Sequence, residues 1–236
     1  MRPLVVLFDL DGTALTFEGG SPGPGRTALG LAVREVFAAE DATHGMRFAG
    51  GTDRALVRAI LARVGLAHHG DDGIDRVLAA YLRHLEAVLT TRRYRPVGDV
   101  AGAVAALRGQ GAVVGVATGN VRAGARLKLA SAGLAEVFDP ALGGYGCDAE
   151  PRPDILRVAV ARCAAIAGAA ADVVVVGDTE HDVSAGRAVG AKVVGVAIYE
   201  GARAELEAAG ADAIVDACGE PLVRAILGLL PGRGGA

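Results

Sequence analysis

Short apolar runs recur along the chain at Leu4–Phe8, 112–117, 173–176 and 192–197, each bounded by Gly or Asp. Their length and their Val content predict buried β-strands rather than helices. Between them, 121–132, 154–167 and 182–189 carry apolar residues at helical spacing. Alternating strand and helix predicts a parallel sheet with crossover helices, an α/β, Rossmann-like core.

The stretch 16–95 follows another pattern. It opens with a Gly/Pro-rich loop through Gly19, Gly20, Pro22, Gly23, Pro24 and Gly25, then shows helical runs at 27–39, 53–64 and 74–89 without a comparable strand run. This predicts an all-helical cap domain (16–95) inserted into an α/β catalytic core made of 1–15 and 96–236. The two crossings, near 14–18 and 94–97, are candidate hinges. The 231–236 tail, rich in Gly, is expected to fray.

Composition sharpens this picture. Hydrophobic residues make up 52% of the chain but aromatics only 4%, with no Trp, so the core must be packed from small and branched aliphatics, as suits a sheet under Ala-rich helices. The net charge of -3, with Lys and Arg scattered, gives no surface for a nucleic acid backbone. The one basic run, Arg92, Arg93 and Arg95, reads as a solvated helix end. Cys147, Cys163 and Cys218 are widely spaced and form no Cys-x-x-Cys pair, which argues against a disulfide framework or zinc and fits a reducing cytoplasm. The first apolar run is too short for a signal segment or a membrane span. A cytoplasmic protein without a membrane partner is expected.

In parallel sheets ligands bind beyond the carboxyl ends of the strands. Three runs end in suggestive residues: Asp9-Leu10-Asp11-Gly12-Thr13, Thr118-Gly119-Asn120, and Gly177-Asp178-Thr179-Glu180-His181-Asp182. On adjacent strands these would gather the carboxylates of Asp9, Asp11, Asp178 and Asp182. Such a cluster repels itself unless a cation intervenes, and oxygen ligands select a hard ion, Mg²⁺ above all. Thr118, Gly119 and Asn120, just before a helix, offer a hydroxyl and free backbone N–H groups, an anion site. Metal and anion site together point to phosphate ester chemistry.

The Asp9–Thr13 stretch resembles the D-x-D-G-T signature of haloacid dehalogenase (HAD) superfamily phosphatases. Thr118-Gly119-Asn120 is similar to the second motif of that family, and Gly177-Asp178-Thr179 with Asp182 to the fourth. The helical insertion resembles its C1-type cap, as in phosphoglycolate-phosphatase-like members. The resemblance implies that Asp9 is the nucleophile and Asp11 the acid/base. It further implies that Asp9, the Asp11 carbonyl and Asp178 hold Mg²⁺ with Asp182 nearby, and that Thr118, Gly119 and Asn120 bind the phosphoryl oxygens. Asp11 also speaks against dehalogenase chemistry. The third motif departs: a common form is Lys-Pro-x-Pro, and here Glu150-Pro151-Arg152-Pro153 stands. Arg152 is the candidate replacement cation, with Lys128 as fallback because it lies about two helical turns beyond Thr118.

Other polar residues carry blander readings. Asp182 also suits a helix cap, His181 a first helical turn, His68 and His69 a loop, and Cys147 a bystander in the Gly143–Gly146 turn. Gly50-Gly51-Thr52-Asp53 fits either a helix N-cap or, by resemblance, a substrate-facing loop. The expected activity is hydrolysis of a small phosphorylated metabolite, a phosphoglycolate-like acid or a sugar phosphate. A phosphomutase is the alternative. A catalytically silent binding protein is a third reading, against which the intact Asp9, Asp11 and Asp178 set argues.

Overall fold

The computed structural model describes residues 2–168 and 170–230, so the tail expected to fray lies outside the described residues. The Val-rich runs become strands: β1 (Leu4–Phe8), β4 (Ala112–Thr118), β6 (Asp172–Gly177) and β7 (Lys192–Val196). Two short strands, β5 (Gly144–Tyr145) and β8 (Ala213–Val215), complete a six-stranded parallel sheet of order β5-β4-β1-β6-β7-β8. Counting only these strands along the chain, the order is the Rossmann pattern, with β1 between the two strands where the direction of winding reverses. The expected turn around Gly143–Gly146 is corrected here: Gly144 and Tyr145 pair with the end of β4 as an edge strand.

Alternate residues along each strand face opposite layers. Val5, Leu7, Val175 and Val193 pack with Leu156, Ala159, Cys163, Val183 and Leu206. These come from α6 (Arg152–Ala167), α7 (Glu180–Ala188) and α8 (Ala202–Ala209). Leu4, Val6, Phe8, Val114, Val174 and Val194 face the other way, toward α4 (Val100–Gly109), α5 (Arg122–Ser131) and α9 (Glu220–Gly228). Cys163 and Cys218 are buried and Cys147 exposed, all as free thiols.

The insertion supplies α1 (Pro24–Phe37), α2 (Asp53–Arg63) and α3 (Gly70–Leu89), the last two joined through a 3-10 turn at Ala67–His69. Pro24 opens α1 and the Thr52 hydroxyl caps α2 by accepting from the Ala55 N–H. Leu29, Val33, Val57, Ile60, Val77 and Leu85 bury between these helices and join the apolar layer beneath the sheet. The two crossing segments are not bare hinges: β2 (Leu15–Phe17) pairs antiparallel with β3 (Tyr94–Pro96). This ribbon straddles both expected borders of the insertion. The Arg92–Arg95 run is more than a solvated helix end, since Arg92 donates to the Pro22 carbonyl at 2.7 Å and the Thr27 hydroxyl at 3.2 Å, and Arg95 pairs with Glu18. Among the described residues, no helix is long and apolar enough to cross a membrane.

Candidate active site

The polar residues that follow β1, β4 and β6 meet because these strands are neighbours in the sheet and run in one direction. Asp9, Thr118, Asn120 and Asp178 are each at most 6% exposed and line a cavity of about 380 Å³ to which the helical insertion also contributes. Gly12 permits the convergence. Its φ of +88° turns the chain after Asp11, and a Cβ there would lie 2.2 Å from Asp178 Oδ2. Thr13 Oγ1 donates to Asp178 Oδ1 at 3.0 Å and Tyr199 Oη to Asp178 Oδ2 at 2.8 Å.

A buried Lys128 and a half-buried Arg152 divide Asp9, Asp11 and Asp182 between them. Arg152 Nη2 lies 2.8 Å from Asp9 Oδ1 and 2.5 Å from Asp182 Oδ1, while Arg152 Nε donates to the same Asp182 oxygen at 2.9 Å. Lys128 Nζ donates to Asp11 Oδ2 and to Asn120 Oδ1, both at 2.6 Å. The Asn120 amide donates to Asp11 Oδ2 at 2.7 Å and to Thr118 Oγ1 at 2.8 Å. Lys128 thus reaches the site fully, against the expectation that its distance along the helix would keep it marginal. Helix α5 starts only at Arg122, and helical side chains lean toward the N-terminus, so the Lys128 stem runs back over the first turns.

Asp182 has a double role. With Thr179 it forms a capping box at the start of α7, its Oδ2 accepting from the Thr179 hydroxyl at 2.7 Å and the Thr179 and Asp178 N–H groups at 3.1 and 3.2 Å. Its Oδ1 turns to Arg152. Oxygens of Asp9, Asp178 and Asp182 lie within 4.8 Å of one another.

The electrostatics follow from burial and crowding. Burial pushes Asp9 up to about 7, Arg152 opposes this, and the Asp182 and Asp11 charges add to it. Burial and then the Asp182 and Asp9 charges hold Asp178 well above the usual carboxylate range. Burial would also raise Asp11, but the Lys128 charge, with hydrogen bonds from Lys128, Asn120 and Tyr94, outweighs it and holds that carboxyl low. One cluster therefore contains carboxylates displaced in opposite directions.

The insertion closes on the site through backbone as much as side chains. Asp53 N–H donates to the Gly119 carbonyl at 2.9 Å, and Asp53 Oδ2 accepts from the Val121 N–H at 2.8 Å. A Cβ at Gly119 would stand 2.4 Å from the Gly51 carbonyl oxygen, so this approach requires glycine. Of the two readings of the Gly50–Asp53 stretch, the helix N-cap is seen in Thr52, which caps α2, and Gly50, Gly51 and Asp53 line the cavity. Glu150, standing where a lysine is common, faces away from Asp9 and pairs with Arg58 of α2, Arg58 Nη2 to Glu150 Oε1 being 2.7 Å.

The family model for haloacid dehalogenase-like hydrolases matches residues 4–190. The chain belongs to the haloacid dehalogenase-like hydrolases. Among relatives of this hydrolase, "Probable phosphatase IndB" of Dickeya dadantii is 32% identical, covering 93% of this chain and 92% of its own. A predicted phosphatase from Clostridium acetobutylicum superimposes with a TM-score of 0.69 at 20% identity, over 97% of this chain and all of its own. CbbY from Rhodobacter sphaeroides, in complex with phosphate, superimposes with a TM-score of 0.65 at 17% identity, over 92% and 95% of the two chains. Both solved structures share the fold of this hydrolase.

Site residues that the sequence reading missed had signals of different strength. Tyr199 follows the end of β7, so the strand-end rule that found Asp9 and Asp178 applies to it as well. Tyr94, beside Lys128 and Asp11, comes from the far side of the insertion, and nothing local marks it.

Proposed function

We propose that the chain is a Mg²⁺-dependent phosphatase acting on a small phosphorylated metabolite through an aspartyl-phosphate on Asp9. The observation that carries this reading is the buried Asp9 carboxylate in the wall of the cavity, with the Arg152 guanidinium 2.8 Å away and the Thr118–Asn120 turn lining the same cavity. The oxygen-only donor set suits a hard cation, with the Asp9 and Asp178 carboxylates and the Asp11 carbonyl as ligands and Asp182 alongside. Bound there, Mg²⁺ supplies charge neutralisation for the transferring phosphoryl group.

The protein's own groups account for the rest. Asp9 attacks phosphorus, forming its acyl-phosphate bond as the ester P–O bond breaks, and Asp11, which the negative charge of the bound phosphate ester beside it brings to its protonated form, delivers that proton to the departing oxygen. Asp11 then takes a proton from the water that attacks the phosphorus of the intermediate, which frees Asp9 and releases phosphate. Arg152, the Thr118 hydroxyl and the Gly119 and Asn120 amides hold the phosphoryl oxygens, while Lys128 and Asn120 fix Asp11. Residues 16–95 act as a cap that excludes water and selects the leaving group, with 1–15 and 96–236 as the catalytic core. Phosphoglycolate-like acids and sugar phosphates are the substrate classes proposed, and three free thiols fit a cytoplasmic enzyme.

Phosphate release from p-nitrophenyl phosphate by the purified protein tests this. Turnover is expected with Mg²⁺, none in excess chelator and none in Asp9→Asn. Full activity in chelator contradicts the metal assignment, and steady turnover by Asp9→Asn contradicts the nucleophile. With a sugar monophosphate, free sugar as the product supports hydrolysis, and an isomeric phosphate a mutase.

A further inference from the structure

Three cations line the cavity among the described residues: Arg152, Lys128 and Arg26. The first two are matched by carboxylates at ion-pair distance. Arg26 is not. Half-buried in the first turn of α1, it donates to the Met46 carbonyl and lies with its guanidinium carbon 4.2 Å from the centre of the Phe48 ring. No carboxylate of the described residues pairs with it. The contacts orient this guanidinium without neutralising it, since a carbonyl and a ring face carry no net charge.

The surroundings of Arg26 are as informative. Phe17, Leu29, Phe48 and Leu56 line the same cavity. A charge beside an apolar wall is solvated poorly and gains most from an incoming anion. The backbone just before it approaches the reaction centre, since a Cβ at Gly25 would stand 3.5 Å from Lys128 Nζ, which itself holds Asp11. Arg26 and Asp9 line the same cavity, so one ligand can reach from a phosphate at Asp9 to this guanidinium. The wall formed by Phe17, Leu29 and Leu56 offers no partner to a hydroxyl and suits an apolar spacer.

We propose that Arg26 is a specificity-determining residue that receives a second anionic group of the substrate, so that the preferred ligand is a phosphorylated organic acid or a bisphosphate with a short apolar spacer. This rests on the phosphatase reading for where the first phosphate sits. The second anion forms paired N–H···O contacts with the outer edge of the guanidinium while the apolar wall covers the spacer.

Binding isolates the idea from turnover. Calorimetry with phosphonoalkanoic acids of graded spacer length, their terminal amides, and alkane bisphosphonates, in Mg²⁺, compares wild type with Arg26→Gln and Arg26→Lys. For at least one spacer length, wild type is expected to bind the acid roughly 10- to 100-fold more tightly than its amide, the scale of a hydrogen bond to a charged group. In Arg26→Gln the preference should fall below about threefold, and Arg26→Lys should keep a substantial part of it, which separates charge from a packing effect. The relative affinity of acids and bisphosphonates then identifies the second anion. Equal or undetectable binding of acid and amide by wild type at every length overturns the proposal, as does an acid preference that survives in Arg26→Gln. Intact acid preference in a protein that releases no phosphate from any ester would leave the Arg26 subsite standing and refute the phosphatase reading instead.

Discussion

Replacing Asp9 by Asn should stabilise the metal-free protein, and more so at high pH. In the folded chain the Asp9 carboxyl sits at about 7 against an ordinary 3.8, chiefly because burial disfavours its charge. A raised folded value means that the native state holds this proton more tightly than the unfolded state does. Stability from Asp9 is therefore lost as pH rises from the unfolded value through the folded one. At roughly 1.4 kcal/mol per unit, the full penalty above pH 7 is about 4 kcal/mol, of which somewhat under 2 kcal/mol is already present at pH 5. Asn, a neutral mimic of the protonated acid, escapes this penalty, which is already net of the attraction of Arg152 at 2.8 Å. We expect Asp9→Asn to gain about 2–3 kcal/mol more, relative to wild type, at pH 8 than at pH 5. Urea unfolding of both proteins in excess chelator at the two pH values measures this. A pH-independent difference, or a variant less stable than wild type at pH 8, would refute the argument that charge burial dominates at Asp9.

Other parts of the site give further expectations. Arg152→Ala should lower kcat on p-nitrophenyl phosphate by about two orders of magnitude, the scale of losing one preorganised charge contact; a loss under tenfold would move the role elsewhere. Lys128→Met should also cost about tenfold or more, because Asp11 loses its anchor, and near-normal kcat would show that Asn120 suffices to hold it. Glu150→Gln should reduce kcat/KM by only about two- to fivefold, as suits a partly exposed pair, with no additional loss when Arg58→Gln is combined with it; additive losses would mean that the pair does not act as a unit. Gly12→Ala should destabilise by about 1–3 kcal/mol and abolish turnover, since both the positive φ and the approach to Asp178 forbid a side chain; a normal melting temperature and rate would contradict that geometry.

What the sequence made legible follows from how strongly each signal is local. Strands β1, β4, β6 and β7 carry consecutive Val residues because both of their faces are covered. β5 and β8, at the sheet edges, are two and three residues long and too short for any periodicity. Helix α4 reads Val-Ala-Gly-Ala-Val-Ala-Ala-Leu-Arg-Gly, where Ala and Gly blur the polar face that would mark it. Asp9, Asp11, Thr118 and Asp178 stood out because strand ends are a topological rule that needs no contact map. Lys128 was undervalued because distance measured along a chain ignores the direction in which a helical side chain leans. The unmatched charge of Arg26 was invisible, since it depends on which carboxylates the fold keeps away from it.

Covalent transfer of the phosphoryl group to Asp9 can be read directly by trapping the intermediate. Enzyme in excess over p-nitrophenyl phosphate is mixed with Mg²⁺, quenched in acid within the first turnover, digested and examined by tandem mass spectrometry. A phosphoryl adduct is expected on the peptide containing Leu4–Phe8 and Asp9, localised to the Asp9 side chain and absent from Asp9→Asn. An adduct on another residue, or rapid phosphate release with no acid-stable adduct at any quench time, would contradict it.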